Sequence, residues 1–273
     1  MSNPIGIFDS GYGGLTIFKE IVSALPQYDY LYLGDNARAP YGTKSFETIY
    51  QYTLQSVQWL FDQGCPLVIL ACNTASAKAL RTIQQKDLPA IDPNKKVLGV
   101  IRPTSEVIGN YSQSGHVAVL GTTGTIESQS YLIEISKFFP NITVCQQACP
   151  EWVSIVENNQ INTPEADHYV KRHIDHVLSL DPQIDTILLA CTHYPLLIDV
   201  IRRYTPERIS IISQGNIVAN SLIEYLKRHT IIADLCSKNA NRAFYTTGNQ
   251  TDFNHHASMF FGGQIKSNQL ILG

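Results

Sequence analysis

The sequence predicts an α/β protein of two pseudo-symmetric domains, each a mostly parallel sheet flanked by helices, with a cleft between them. Three observations carry this expectation. Short apolar runs alternate with helix-like segments along the whole chain, the pattern of a parallel sheet with helical crossovers. Residues 67–76, LVILACNTAS, recur as residues 186–195, TILLACTHYP. A strand, a glycine-rich turn and a helix occur near residue 5 and again near residue 117, so each Ala-Cys segment follows its own copy of that unit.

The elements read in order as follows. Residues 5–8 form a first strand, closed by the turn Asp9-Ser10-Gly11-Tyr12-Gly13-Gly14, and residues 15–25 form a helix stopped by Pro26. Residues 30–33 are a second strand, followed by a loop from Gly34 to Gly42 rich in turn residues. Residues 45–63 are helical. The continuous apolar run 67–70 suits a strand covered on both faces, and Asn73, Thr74 and Ser76 are candidate N-caps for a helix reaching about residue 85. Residues 86–96 are polar, contain two prolines and read as a connection. Strands follow at 97–101 and 117–120, the second leading into Gly121-Thr122-Thr123-Gly124 and a helix over 128–138. Residues 143–146 are a short strand, 150–159 a loop or short helix, and 164–180 a helix before the second cysteine strand. A strand at 209–212, a helix at 217–229, a strand at 242–246, a helix at 252–261 and an edge strand at 270–272 complete the chain. The segment after the second half is expected to pack back onto the first. One domain then comprises residues 1–96 with 210–273, and the other residues 97–209.

A chain of 273 residues with 44% hydrophobic content can bury a proper core, and a net charge of -3 lacks the basic surplus of a nucleic-acid binder. No apolar run approaches the roughly 20 residues of a membrane-spanning helix. Residues 1–10 lack the basic and apolar regions of a signal peptide. A soluble, cytoplasmic protein is therefore expected, without nucleic-acid or membrane partners. In that compartment Cys65, Cys72, Cys145, Cys149, Cys191 and Cys236 should be reduced. Cys145 and Cys149 have no second pair at zinc spacing, so no metal site is expected.

The candidate chemistry sits at strand ends, where parallel sheets present it. Cys72 and Cys191 each follow an apolar strand and precede polar residues. A single free cysteine there would read as a small core hydrophobe, but two in repeated contexts point to a pair facing each other across a cleft. His193, two residues past Cys191, is close enough to tune that thiol; a structural histidine is the plain alternative. Asp9 and Ser10 close the first strand, where helix capping is a sufficient explanation for either. Gly11-Tyr12-Gly13-Gly14 lacks the Lys-Ser/Thr ending of a phosphate-binding loop and the spacing of a dinucleotide-binding one.

Four segments together are specific. Phe8-Asp9-Ser10-Gly11-Tyr12-Gly13-Gly14-Leu15-Thr16, Gly34-Asp35-Asn36-Ala37-Arg38-Ala39-Pro40-Tyr41-Gly42, Ala71-Cys72-Asn73-Thr74-Ala75 and Ala190-Cys191-Thr192-His193-Tyr194-Pro195 resemble the signature segments of glutamate racemases, in the family's order. Phe244-Tyr245-Thr246-Thr247-Gly248 resembles the family's tail. The resemblance implies a cofactor-independent racemase interconverting L- and D-glutamate, which supplies D-glutamate for peptidoglycan. It implies Cys72 and Cys191 as the acid/base pair, and substrate contacts from Asp9, Ser10, Tyr41, Gly42, Asn73, Thr74, Thr192 and His193. Asp9, Glu157 and His193 would assist the cysteines or the substrate ammonium. Glu157 is matched through a segment that departs from the family pattern, with Glu151 where an apolar residue is common and Ser154 where proline is common. Residues 211–214, IISQ, lack an aspartate often seen there. Family members are often dimers, so a homodimer is the assembly the resemblance suggests, with no interface legible in the sequence.

The residue types suit this reaction. Racemisation removes the α-proton from one face and returns one to the other, so two fixed groups must exchange acid and base roles. Two cysteines can, since a free thiol titrates at about 8.5 and its surroundings can move that value. Helix N-termini after residues 10, 42, 74 and 192 could hold the carboxylates without an arginine cluster. Three rival readings remain: an aspartate racemase of the same superfamily, a non-catalytic binder of small acids, and a thiol hydrolase with Cys191 and His193 as nucleophile and base. The last leaves Cys72 without a purpose.

Overall fold

In the computed structural model, which describes residues 2–272, two parallel sheets are built from ten strands. These are β1 (Ile5–Asp9), β2 (Tyr30–Gly34), β3 (Leu67–Leu70), β4 (Lys96–Gly99), β5 (His116–Gly121), β6 (Thr143–Ala148), β7 (Thr186–Ala190), β8 (Ser210–Ile212), β9 (Arg242–Thr246) and β10 (Ser267–Gln269). The first sheet runs β10-β9-β2-β1-β3-β4 and the second β6-β5-β7-β8. The order β2-β1-β3-β4 is therefore repeated as β6-β5-β7-β8, which is the structural form of the repeat read in the sequence. In each half the chain goes from the first strand to a neighbour on one side, then returns to the other side. The strand ends flanking that reversal are where open α/β sheets bind ligands.

The central strands are buried along their whole length, β3 as LVIL and β7 as TILLA. Helices on both faces of each sheet demand apolar residues at every position rather than at alternate ones. Burying each such side chain stabilises the fold by about 1.5–3 kcal/mol, enough to hold the loops that leave these strands against a rigid base.

Strand pairing moves both expected domain boundaries. The sequence reading starts the second domain at residue 97, yet β4 pairs with β3 in the first sheet, Leu67 opposite Lys96. It returns the chain to the first domain at residue 210, yet β8 pairs with β7, Thr186 opposite Ser210. Each crossing happens after the edge strand is laid down, and a short strand's sheet is decided by its ladder partner, not its composition. Residues 86–96 are not a plain connection, because a π-turn at Ile83–Asp87 and a helix at Leu88–Ile91 continue from the preceding helix. The final strand lies at Ser267–Gln269 and not at 270–272. Residues 151–157 form a helix that ends on Glu157. No helix among the described residues is long and apolar enough to cross a membrane.

Candidate active site

Aligning the halves on Leu-Ala-Cys exposes the design. Leu70 lies opposite Phe8, and Leu189 lies opposite Leu120. The counterpart of Asp9 is then Gly121, of Ser10 Thr122, of Asn73 Thr192 and of Thr74 His193. The two cysteines occupy equivalent places, but their helpers differ from one half to the other.

Cys72 leaves β3 and is itself the N-cap of the helix Asn73–Lys78, its sulfur accepting the Ala75 N–H at 3.4 Å. The cap is therefore not Asn73, Thr74 or Ser76; the helix starts one residue earlier than their chemistry suggested. The Cys72 thiol donates to Ser10 Oγ at 3.5 Å. Burial, followed by the nearby charge of Asp9, pushes this thiol up to about 12, so at neutral pH it holds its proton. Asp9 is fully buried. Its Oδ1 accepts the Gly14 N–H at 2.9 Å, and its Oδ2 has no hydrogen-bond partner. Burial lifts this carboxyl to about 6 against the opposing charge of His193. A desolvated carboxyl with one oxygen left unpartnered is an arrangement that a purely structural role would not favour.

On the other side, Cys191 Sγ lies 4.0 Å from His193 Nδ1, and His193 Nε2 lies 2.9 Å from Glu157 Oε1. Burial alone would lower the His193 pKa, but its hydrogen bonds to Cys191 and Glu157, and their charges, outweigh this and raise it to about 10. An imidazolium thus stands between the Cys191 sulfur and the Glu157 carboxyl group. Glu157, at the end of its helix, reaches this histidine even though the segment carrying it departs from the family pattern.

A cavity of about 120 Å³ joins these groups. Cys72 and Cys191 both line it, with Ser10, Asn73 and Thr74 from the first half and Thr192, His193 and Glu157 from the second. Tyr41 and Gly42 complete one wall. Asp9 does not reach the wall, although its charge bears on the Cys72 thiol. Tyr41 spends its hydroxyl on Asp35 Oδ2, so it offers the cavity its ring and backbone. Gly42 O accepts the Gly124 N–H at 2.9 Å and ties this loop to the second half. A larger cavity of about 350 Å³ touches Cys191 but not Cys72, so only the smaller one meets both thiols.

The helix starts supply only part of the donor set that the sequence suggested. The helices begin at Leu15, Phe46, Asn73 and Tyr194. The N–H groups of Gly14, Thr48 and Ala75 are already taken by Asp9, Ser45 and Cys72. The lining contains neither arginine nor lysine, but it includes Thr122 and Thr123, which the sequence reading passed over. Thr122 Oγ1 caps Thr125 N and lies 2.9 Å from Thr74 Oγ1. Thr122 emerges as the partner of Ser10 only when the halves are registered strand against strand.

Residues 5–222 match the family model described as Asp/Glu/Hydantoin racemase. Glutamate racemase from Ruegeria sp. (strain TM1040) is 38% identical over 271 residues, covering 96% of this chain and 97% of that protein. The structure of the glutamate racemase isoform RacE1 from Bacillus anthracis superposes with a TM-score of 0.90 at 33% identity, over 99% of this chain and 98% of that one. Glutamate racemase from Francisella tularensis, solved in complex with D-glutamate, superposes with a TM-score of 0.87 at 32% identity, again over 99% and 98%. The two-sheet architecture is that of these enzymes, and the chain belongs to the Asp/Glu/Hydantoin racemase family: it is an isomerase, an amino-acid racemase.

Proposed function

We propose that this protein is a cofactor-independent glutamate racemase working through two acid/base cysteines. The observation that carries the reading is that Cys72 and Cys191, from equivalent positions in the two halves, line one small cavity. Cys191, beside the imidazolium of His193, takes the α-proton from L-glutamate. Cys72, which holds its proton at neutral pH, delivers one to the opposite face. The roles reverse for D-glutamate. Asp9 assists Cys72, and the Glu157–His193 pair assists Cys191. Ser10, Asn73, Thr74, Thr192 and Thr122 donate to the two carboxylates, with Tyr41 and Gly42 closing the wall beside them. The hydroxyls and amides act as prepositioned dipoles in a site shielded from water, where each counts for more than it would in solvent. The cytoplasmic setting, a role in supplying D-glutamate for peptidoglycan, and a homodimeric assembly belong to the same reading and rest on the family resemblance.

The test is polarimetry on purified protein, dialysed against a chelator and supplied with no cofactor. The rotation of L-glutamate should decay to zero, and that of L-aspartate should persist. A requirement for added pyridoxal phosphate, flavin or metal, or loss of the aspartate signal alone, contradicts the reading.

A further inference from the structure

We propose that Tyr131 and Gln214 are positioning residues that lock the Asn73 carboxamide as a hydrogen-bond donor toward the cavity. This rests on the glutamate racemase reading and adds two residues to it. The three side chains come from three places: Asn73 follows β3, Tyr131 lies in the helix Ser130–Phe138 of the second half, and Gln214 caps the helix Gly215–Arg228 as the chain returns to the first half. Their polar atoms close a ring. Tyr131 OH donates to Asn73 Oδ1 at 2.6 Å, Asn73 Nδ2 donates to Gln214 Oε1 at 2.7 Å, and Gln214 Nε2 donates to Tyr131 OH at 2.7 Å.

The direction of the ring follows from its surroundings. Thr104 Oγ1 spends its proton on Val100 O at 2.9 Å and so faces Gln214 only as an acceptor, 2.9 Å away. Val100 O is a second acceptor, 3.3 Å from the same Gln214 atom. That atom must be the nitrogen, which puts Gln214 Oε1 against Asn73. The Asn73 atom facing it must then be Nδ2, and Oδ1 must face Tyr131. Burial holds the Tyr131 phenol well above its usual titration range, so its donor proton stays in place. A closed head-to-tail ring strengthens each member, and none can flip alone without leaving two buried atoms facing like atoms.

The consequence is specific. One Nδ2 proton of Asn73 is committed to Gln214, and Tyr131 holds Oδ1 in place. Asn73 lines the cavity, and what it can still offer there is its second N–H, which suits a carboxylate and rejects a donor. The ring also joins both halves and both crossings between them, since Val100 and Thr104 lie on the outward crossing and Gln214 on the return.

The test compares wild type with Tyr131→Phe, Gln214→Met and the double variant. Tyr131→Phe removes one hydroxyl; Gln214→Met removes the amide at similar volume. Each single variant should raise KM for glutamate about tenfold or more, the scale of losing a hydrogen bond to a charged group. The kcat should fall less, in assays well below each variant's Tm. Because both act through Asn73, the double variant should be no worse than the worse single one. In spectra of protein carrying ¹⁵N-labelled Asn and Gln, the Asn73 carboxamide should exchange slowly in wild type and fast in Tyr131→Phe. A folded Tyr131→Phe with wild-type KM, fully multiplicative effects, or unprotected carboxamide protons in wild type overturns the proposal. If Gln214→Met does not fold, Tyr131→Phe and the exchange measurement decide. Wild type without glutamate racemisation instead overturns the functional reading, whereas the exchange measurement still reports on the ring.

Discussion

Cys72→Ala and Cys191→Ala should each lose racemisation of glutamate by on the order of 10²–10⁴ or more, the scale of removing a placed proton-transfer group. The folded state should survive both. Cys191 makes no cap, and losing the Cys72 sulfur removes one weak acceptor for the Ala75 N–H. Cys72→Ser separates the two roles of that residue. A hydroxyl caps the helix at least as well as a sulfur, yet it is far too weakly acidic to exchange roles with Cys191. Cys72→Ser should therefore regain any lost stability and remain inactive. His193→Ala should cost less than either cysteine change, because it removes the group beside Cys191 and not the thiol. Since racemisation has an equilibrium constant of one, kcat/KM must stay equal in both directions. The asymmetry must appear in kcat, with the direction using Cys191 as base slowed more. Near wild-type turnover in either alanine variant would make that cysteine structural and end the two-base scheme.

Gly13→Ala should reduce kcat by about 10², although Gly13 bears no functional group. A Cβ placed there would lie 2.2 Å from Thr192 Oγ1 and 2.5 Å from His193 Nδ1. Both atoms belong to the second half, and the Thr192 backbone and the His193 ring are anchored. Thr192 O accepts from Thr16 Oγ1 at 3.0 Å, and His193 is held by Glu157. To relieve the overlap, the imidazole must move away from Cys191 or the two halves must part. A displacement near 1 Å costs about a hundredfold when it misplaces a reacting group. Gly263→Ala is the matched control, since a Cβ there meets nothing within 4 Å. Circular dichroism and kcat for both variants check this. Full activity in Gly13→Ala would mean that the close approach of the two halves at His193 is not needed.

Much of this was legible in the residues because the repeat marks strand ends. An apolar run long enough for a strand, closed by Ala-Cys and polar residues, fixes where the chain leaves the sheet, and two copies fix two such places. The resemblance named Asp9, Ser10, Tyr41, Gly42, Asn73, Thr74, Thr192 and His193, and the fold gathers them around one cavity or directly behind it. Sheet membership was not legible, because β4 and β8 are short edge strands whose partner depends on where the chain crosses. The Cys72 cap was hidden because sulfur is a poor acceptor and its polar neighbours look like better caps. Thr122 reads as an ordinary cap until the halves are registered strand against strand. Tyr131 and Gln214 carry no motif; one is an aromatic within a helix and the other a polar residue at a crossover. Only the packing of the two halves brings them to Asn73.

The account stands or falls on whether Cys72 and Cys191 work on opposite faces of one α-carbon, and solvent deuterium reads this directly. In D₂O the thiol acting as acid carries deuterium. Starting from L-glutamate, Cys191 takes the α-proton and Cys72 delivers deuterium to the other face. Early D-glutamate should be almost fully deuterated at the α-carbon, and recovered L-glutamate almost unlabelled. Starting from D-glutamate, the pattern should swap. Mass spectrometry of the separated enantiomers at low conversion makes the measurement. A single base serving both faces would return original protons to the product and wash deuterium into unreacted substrate. Substantial unlabelled product or early labelling of recovered substrate would contradict the placement of the two cysteines on opposite faces.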